Sequence, residues 1–503
     1  MDSKQAFHVL NELESKLNLK KFKVNGIDIW PHLRFQFILK INREILNKDP
    51  REQSYLPRVW AKLKIAPRAL LGIIQIYYSY LKNKGLSDRQ KDILFLTDSS
   101  SKRMKLDDQW YDIFIDPIID HYEKLNVTYH TFETSQRFLI RYPSKRDSQP
   151  ISMEMILYFL RSLLFVWRVR FNQDFLEVYY NYRNHMVKMG MEKHIIGLQE
   201  IRFEVSYIFQ LMSFFRRKLE KIKPRLVFMV AYNGYSGKAL TCICNKLSIT
   251  SINIQHGVQG KYHPSYASFN NIPREAFNTL PRFFLTWSKA DRDNINKWAS
   301  NTESIRAAML GNLYEESFKS DNALSLYFDR LFTKYYGSHH NKVFVLISLT
   351  WSNYLPTEIK KLLHESGETY FFLIRFHPST TSLERKAVKS ELKNLGRNNY
   401  DLELASELPL YAIIRNVHFN ITQRSSTVID CSNFGVPSII TDDIGHMYYQ
   451  DLINSQYAYY CGSEDGLYSQ LEKIVNTKIP DYIDRRHIKD QSADLSVLDS
   501  LLE

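Results

Sequence analysis

The sequence predicts an α/β protein of two successive doubly wound domains facing each other across a cleft, with an extra helical region at the amino terminus. Three observations predict this. Several short runs are apolar throughout, among them residues 226–230 (LVFMV), 343–349 (VFVLISL) and 370–376 (YFFLIRF), as expected for parallel strands buried on both faces. Each run leads through a short polar or glycine-bearing loop into a helix-like stretch, which is the β-α-β unit. The pattern then starts afresh in the second half of a 503-residue chain, long enough for two to four domains.

Taken in order, the first 85 residues read as helical. Leu10, Leu13 and Leu17 share one helical face, and residues 30–45 (WPHLRFQFILKINREI) continue in the same manner. The leading residues are polar and carry no apolar core of signal-peptide type, so a cytoplasmic address is expected. Strands are expected at 93–97 and 127–132, then a long helical insertion over 152–221. Further strands follow at 226–230, 250–254, 283–287 and 305–310. The second half offers strands at 343–349, 370–376, 417–421 and 437–441, with helices at 357–366, 410–415 and 426–433 between them. The expected domains are a helical region over 1–85, an α/β domain over 86–335, a second over 336–463 and a helical tail over 464–503.

Composition bounds the partners. Sixty-seven Lys and Arg stand against 54 acids, a formal charge of +13 that favours an anionic partner. The basic residues are dispersed and form no nucleic-acid-binding motif, so no nucleic acid is expected. Four cysteines, with Cys242 and Cys244 as C-x-C and Cys431 and Cys461 apart, exclude a disulfide scaffold and a zinc ribbon. Residues 66–81 (APRALLGIIQIYYSYL) and 156–171 (ILYFLRSLLFVWRVRF) are too short or too charged to span a bilayer. Their mixture of aromatic, aliphatic and basic side chains suits a helix lying in the membrane plane. Peripheral contact with the inner face of the cytoplasmic membrane is therefore one expectation, and a buried domain helix with paired arginines is the other.

In doubly wound sheets ligands bind beyond the carboxyl ends of the strands, so chemistry is sought there. After 226–230 comes Tyr232-Asn233-Gly234-Tyr235-Ser236-Gly237-Lys238, whose glycines free the backbone before a helix start; its spacing is not that of a P-loop. After 250–254 comes Gln255-His256-Gly257, then Lys261 and His263. A histidine at a strand tip among glycines is placed for proton transfer near neutral pH. After 370–376 comes His377-Pro378 with Arg375 just before it, a candidate phosphate clamp. After 417–421 come Ser425, Ser426 and Thr427 at the head of a helix carrying Asp430, a candidate anion site or a plain N-cap. Asp442 and Asp443 follow the next strand. Asp98, Asp116, Glu200 and Glu204 are the candidate carboxylates of the first domain.

The order R-x-H-P, then S-S-T-x-x-D, then G-x-P-x-I resembles the carboxyl-terminal domain of GT-B glycosyltransferases, the bacterial capsule, O-antigen and lipopolysaccharide enzymes with HP and SS motifs, which include CMP-sugar (Kdo and sialic acid) transferases. The segment Ile252-Asn253-Ile254-Gln255-His256-Gly257 is similar to their amino-terminal domain. The resemblance covers residues 220–460 well and implies two Rossmann-like domains. It implies that His377, Pro378, Ser425, Ser426, Thr427, Asp430 and Arg375 hold the donor nucleotide and its phosphate, CMP-linked sugars being favoured. An acceptor glycan or lipid-linked glycan would enter over Asn233, Gly234, Gly237, Lys238, Gln255, Gly257 and Lys261. His256, Asp98 or Glu204 would act as base. Asp430 stands where such families often carry Glu. No metal and no cofactor is implied, the nucleotide-sugar being substrate. The one D-x-D, Asp291-Arg292-Asp293, lies in a polar helix-like stretch and reads as a solvated helix start. The rivals are a polyol-phosphate transferase using CDP-glycerol, a nucleotide-sugar 2-epimerase with the same two-domain fold, and a non-catalytic assembly protein.

Overall fold

In the computed structural model the apolar runs become two separate all-parallel sheets. The structure describes residues 3–47, 89–106, 108–135, 141–257, 259, 263–321, 323–350, 354–377, 380–462, 466–478 and 493–503. The apolar segment 66–81 lies outside them. The chain divides into a first compact unit, residues 1–311 with 493–503, and a second, residues 312–492.

The first unit holds strands β1 (Ile93–Asp98), β2 (Tyr129–Thr134), β3 (Gln149–Pro150), β4 (Leu226–Met229), β5 (Thr250–Ile254), β6 (Phe283–Thr286) and β7 (Arg306–Met309). Their order across the sheet is β7-β6-β5-β4-β1-β2-β3, all parallel. Its helices include α1 (Ser3–Lys16), α2 (Trp30–Asn47), α3 (Asp116–Lys124), α4 (Ser152–Leu164), α5 (Gln173–Lys188), α6 (Leu198–Ile222), α7 (Tyr235–Lys246) and α8 (Lys289–Ala299), with one more short helix at Ser496–Ser500. The expected helical insertion is thus broken into three helices. Asn172 caps α5 through its side chain, Gly190 takes the positive φ of 69° that ends that helix, and Gly197 starts α6.

The second unit holds β8 (Val343–Ser348), β9 (Tyr370–Arg375), β10 (Tyr400–Asp401), β11 (Phe419–Thr422), β12 (Ser438–Ile440) and β13 (Ala458–Tyr460), ordered β10-β9-β8-β11-β12-β13 and again parallel. The helices used below are α9 (Thr357–Glu365), α10 (Glu403–Glu407), α11 (Thr427–Asn433), α12 (Asp443–Tyr448) and α13 (Leu467–Lys478). Leu467, Leu471 and Ile474 of α13 are buried against Val345, Phe372 and their neighbours. Residues 493–503 belong instead to the first unit, where the amide of Asp494 bonds the carbonyl of Leu310 and the Tyr122 hydroxyl bonds that of Leu498. The expected tail over 464–503 is therefore shared between the two units, and the boundary expected at 335/336 falls at 311/312.

The amino-terminal helices are not a region apart. Ala6, Leu10, Leu13, Trp30 and Phe37 lie in one core with Phe175, Phe215 and Leu240. A fully buried ion pair fastens them. The Glu14 carboxylate accepts from Arg34 Nη1 at 2.8 Å, from Trp30 Nε1 at 2.9 Å and from the amide of Asn270 at 2.7 Å. Arg34 also donates to the Ala267 carbonyl and stacks 4.1 Å from the Phe269 ring. Asp28 and Asn278 add a reciprocal pair of backbone-to-side-chain bonds. Removing one partner of a buried ion pair strands the other in the interior, which costs about 3–5 kcal/mol. Arg34→Met is therefore expected to lower the unfolding midpoint in urea by a loss of about that size, with Glu14→Leu/Arg34→Met recovering part of it. Equal stability of the single variant and wild type would remove this pair from the account of how residues 3–47 are held.

Candidate functional site

Sheet topology decides where to look. In each sheet the chain works outward on one side of its first strand and then returns to the other side. The reversal lies between β1 and β4 in the first unit and between β8 and β11 in the second. At such a reversal the loops leave in opposite directions and open a crevice.

In the first unit Asp98 ends β1. Its carboxylate accepts from the amide of Ser100 at 3.0 Å and from the Thr134 hydroxyl at 2.9 Å, and it remains half-buried. After β4, Asn233 and Gly234 lead into α7, whose N-cap is Gly234 with no side-chain cap. Gly237 is required there: a Cβ would run into the carbonyl oxygen of Ala231 and stand 2.6 Å from the Tyr232 Cα. Gly237 thus lets the helix pack onto its own loop. Asn233 Nδ2 donates to Ser265 Oγ at 3.3 Å.

One strand further, His256 follows β5. Its ring meets the Phe114 ring edge-on at 6.4 Å, and its Nδ1 is buried without a hydrogen bond. Burial lowers its pKa to about 4, with the charge of Arg103 acting in the same direction; the carbonyls of Ile254 and Val230 oppose them in part. His256 is therefore neutral at pH 7. Arg103 stacks 5.2 Å from Phe114 and bonds the Ser100 carbonyl, so a guanidinium stands by His256 and the loop after β1. Sequence inspection passed Arg103 over, although it follows Asp98 by only five residues. Gln255 is structural: its amide bonds the Gly257 carbonyl and Asp291, and its oxygen accepts from the amide of Trp287. Asp291 is accordingly not solvated as expected, but it does sit at a helix start, exchanging hydrogen bonds with the N-cap Ser288 of α8. Lys261 lies outside the described residues.

Two expected site residues of the first unit belong to a different cluster. Glu204, on α6, is paired with His32 Nε2 and accepts from the Tyr235 hydroxyl at 3.1 Å. Lys238, on α7, donates to His32 Nδ1 at 2.9 Å and to the Asn233 carbonyl. Glu204, His32 and Lys238 are all buried, and Tyr235 is half-buried. Burial lowers Lys238 to about 7, Glu204 opposing it, and burial together with the Lys238 charge lowers His32. Burial pushes Glu204 up, but the bond and charge of His32 outweigh it and hold the carboxylate below its ordinary range. The network ties α2, α6 and α7 together and corrects the reading of Glu204 as a free base and Lys238 as a loop cation. His32 was missed because its partners are 172 and 206 residues away. Glu200 pairs with Lys40 at 3.0 Å. Asp116 is buried behind Asp112, whose amide it accepts at 2.8 Å; burial and the Asp112 charge raise it to about 8.

In the second unit, the reversal point is bridged by side chains. Thr350, after β8, donates to Gln423 Oε1 at 2.6 Å, and Gln423 follows β11. Glu358 on α9 accepts from Thr441 Oγ1 at 3.2 Å and from Gln423 Nε2 at 3.5 Å. Ser425 and Ser426 come next. Ser425 Oγ lies 2.8 Å from Thr427 Oγ1 and accepts from the Thr427 amide, so it shapes the turn into α11. Ser426 occupies the N-cap position but makes no capping bond. Arg424, between them and Gln423, forms an ion pair of 2.7 Å with Asp442, and Asp442 caps α12 by accepting from the Gly445 amide. A Cβ on Gly445 would collide with the Gln423 carbonyl, so α12 presses directly on this loop.

Three expectations are corrected here. Arg375 Nη1 donates to the carbonyls of Ala405 and Leu408 at 2.6 Å each, satisfying the end of α10, so it is not aimed at a phosphate by these bonds. Asp430, expected to help hold the donor nucleotide, is buried and accepts from the Tyr411 hydroxyl at 2.9 Å, an interior bond. Thr427 is buried beneath Ser425. His377 is exposed beyond the end of β9, and Pro378 lies outside the described residues. Among the described residues no cluster of three or more metal-ligating side chains occurs.

No protein-family model matches the chain, and no curated protein matches it. Among solved structures it is similar to a UDP-N-acetylglucosamine 2-epimerase, at 12% identity and TM-score 0.48 over 82% of this chain and 95% of that one. The UDP-GlcNAc 2-epimerase of Neisseria meningitidis bound to UDP-GlcNAc gives 14%, 0.48, 82% and 99%. The wall teichoic acid polymerase TagF gives 12%, 0.40, 82% and 88%.

Asp116 yields a prediction with a definite sign. The folded chain keeps its proton up to about pH 8, the unfolded chain only below about pH 4. Between these values the folded state holds the extra proton, so this group makes stability fall as pH rises. Asp116→Asn, which keeps an acceptor for the Asp112 amide, is expected to flatten the decline of the thermal midpoint from about pH 5 to about pH 8. A slope identical to wild type would show that Asp116 is ionised in the folded chain.

Proposed function

We propose that the chain is a metal-independent glycosyltransferase that moves a sugar from a nucleotide-activated donor, CMP-linked in the first instance, to a surface-glycan or lipid-linked acceptor. The observation that carries this reading is the position of the S-S motif at the chain reversal of the second sheet, bridged by Thr350 and Gln423. That is where a doubly wound sheet receives a nucleotide. The hydroxyl of Ser426 and the loop around Arg424 would meet the donor phosphate, and His377 beyond β9 would lie against the nucleotide.

The first unit would supply the acceptor groups from its own reversal point. Glu204 is committed to His32 and Tyr235 away from this point, whereas Asp98 ends β1 at it, half-buried and bonded to the Ser100 amide and the Thr134 hydroxyl, and would accept the hydroxyl proton of an inverting reaction from there. His256, with a pKa of about 4, is too weak a base for that step in the free protein. As a neutral imidazole beside Arg103 it would orient a substrate oxygen by hydrogen bonding, and a bound phosphate would raise its basicity by offsetting the guanidinium.

Thermal shift with CMP, CDP, UDP, GDP and ADP tests the donor site. A nucleotide at a hundred times its Kd adds about 2.7 kcal/mol of stability. One nucleotide is expected to raise the midpoint, with the shift lost in Ser426→Ala and kept in Glu200→Gln. Turnover on the matching sugar nucleotide is expected to survive EDTA and to fall at least about a hundredfold in Asp98→Asn, the scale of a general-base contribution. Conversion of UDP-GlcNAc without acceptor would replace this reading by a 2-epimerase. Turnover of CDP-glycerol would replace it by a polyol-phosphate transferase, and no shift with any nucleotide would leave an assembly protein.

A further inference from the structure

Helix α4 is amphipathic in the wrong sense for a surface helix of a globular protein. Such a helix turns its apolar stripe inward. Here the fully buried positions are Ser152 and Ser162, and the exposed ones are Leu157, Leu160, Leu163 and Leu164, with Trp167 on the turn that follows. Leu164 is 71% exposed, Trp167 64% and Leu157 60%, values that leave whole side chains in water. The helix is nonetheless firmly seated. Ser206 Oγ of α6 donates to the Ser162 carbonyl at 3.0 Å, Tyr207 donates to the Met155 carbonyl, and Phe159 packs edge-on against Phe203 and Tyr207. The outward apolar row is therefore held in place by its own inward face.

The same face is basic. From residue 155 to residue 171 the chain carries three arginines and no acid. Arg161, Arg168 and Arg170 are all exposed. Arg168 lies 4.4 Å from the Phe165 ring and 5.2 Å from that of Trp167, and Arg161 lies 5.5 Å from Phe165, so the cations rim the apolar row. Beyond Arg170 a groove is lined by Lys20, Lys21 and Lys23, but these pair with Glu275, with Asp174 and Glu177, and with Asp28, so the basic character of the face rests on its arginines.

We propose that this face lies in the plane of an anionic lipid bilayer, with the α4 leucines and Trp167 among the acyl chains and the arginines at the headgroups. Thirteen residues of helix extend about 20 Å, short of the roughly 30 Å of a hydrocarbon core, so α4 lies along the surface and does not cross. Among the described residues no helix is long and apolar enough to span a membrane. Tryptophan and arginine beside an aliphatic row are the side chains that stabilise such an in-plane position. A second copy of the chain is a poorer occupant, because a twofold contact through this face would set Arg161, Arg168 and Arg170 against one another without an acid between them.

Flotation of the full-length protein with vesicles tests this independently of the transferase reading. Wild type is expected to float with phosphatidylcholine vesicles containing phosphatidylglycerol and to stay at the bottom with phosphatidylcholine alone. Leu160→Glu/Leu164→Glu/Trp167→Glu is expected to abolish flotation while leaving the circular dichroism spectrum and thermal midpoint unchanged, since all three side chains are already exposed. Arg161→Ala/Arg168→Ala/Arg170→Ala, which leaves the apolar row intact, is expected to weaken binding by about a hundredfold at low salt. Absence of wild-type flotation, or flotation that neither set of substitutions reduces, overturns the proposal. So does a dimer in sedimentation equilibrium that the glutamate variant dissociates, which would assign the face to a second copy.

Discussion

Two parallel strands cannot be joined by a tight turn; the chain must cross from the end of one to the start of the next, and it does so with a helix packed on the sheet. Every strand then ends at the same edge, and every functional loop departs from that edge. Most of what is notable in this protein follows from that constraint operating twice. Asp98 lies 135 residues before Asn233 and 158 before His256, yet the three leave neighbouring or next-nearest strands of one sheet. Thr350 and Gln423 meet by the same rule, 73 positions apart in the chain. Helices on both faces also hide the strands from water, which is why the strand sequences are apolar at nearly every position.

That hiding made the framework legible. The runs at 226–230, 343–349 and 370–376 could be nothing but buried strands or buried helix segments, and their length and flanking loops chose the former. Of the two main sheets, the strands that escaped notice, 149–150, 400–401 and 458–460, have two or three residues each and sit toward the sheet edges, too short to carry a pattern. The antiparallel pairs 23–24 with 27–28 and 102–106 with 109–112 escaped it as well, the latter because its residues are largely polar and charged. The site was legible in position and not in engagement. Its loops could be placed by following each strand to its end. Whether a given side chain points at solvent or at a carbonyl depends on segments remote in sequence. Arg375 looked like a phosphate ligand and closes the end of α10; Glu204 looked like a base and holds His32; Asp430 looked like a donor-nucleotide contact and holds Tyr411. Conversely, Arg103 gained its place beside His256 through the Phe114 ring between them, a contact no spacing rule announces.

The polar groups the first unit buries are organised, not scattered. Glu14 serves Arg34, Trp30 and a backbone amide at once; Asp112 serves Thr97 and two amides. Such multiply bonded carboxylates fix one packing among many that an apolar core alone would tolerate, since each wrong arrangement leaves a charge without partners. The Glu14 cluster selects the seating of α1 and α2 on the 266–279 loop. The His32 cluster selects that of α2 on α6 and α7. The second unit has its own: Arg415 serves Asp321, Asp329 and the Phe318 carbonyl, and Glu315 serves Lys319 and Asn433.

Residues 493–503 return to the first unit after the chain has traversed the whole of the second. Gly311 accommodates the return, with a φ of 84° and the Ala493 backbone where a Cβ would stand. During synthesis residues 1–311 emerge before the strip 493–503, so Tyr122, His121 and Arg225 lack Leu498, Asp499 and Leu502 as partners until the second unit has been made. The second unit is therefore an insertion within the first, joined to it at 311/312 and again at 492/493. A nascent chain stalled short of residue 493 would carry both sheets but lack the second of these covalent connections.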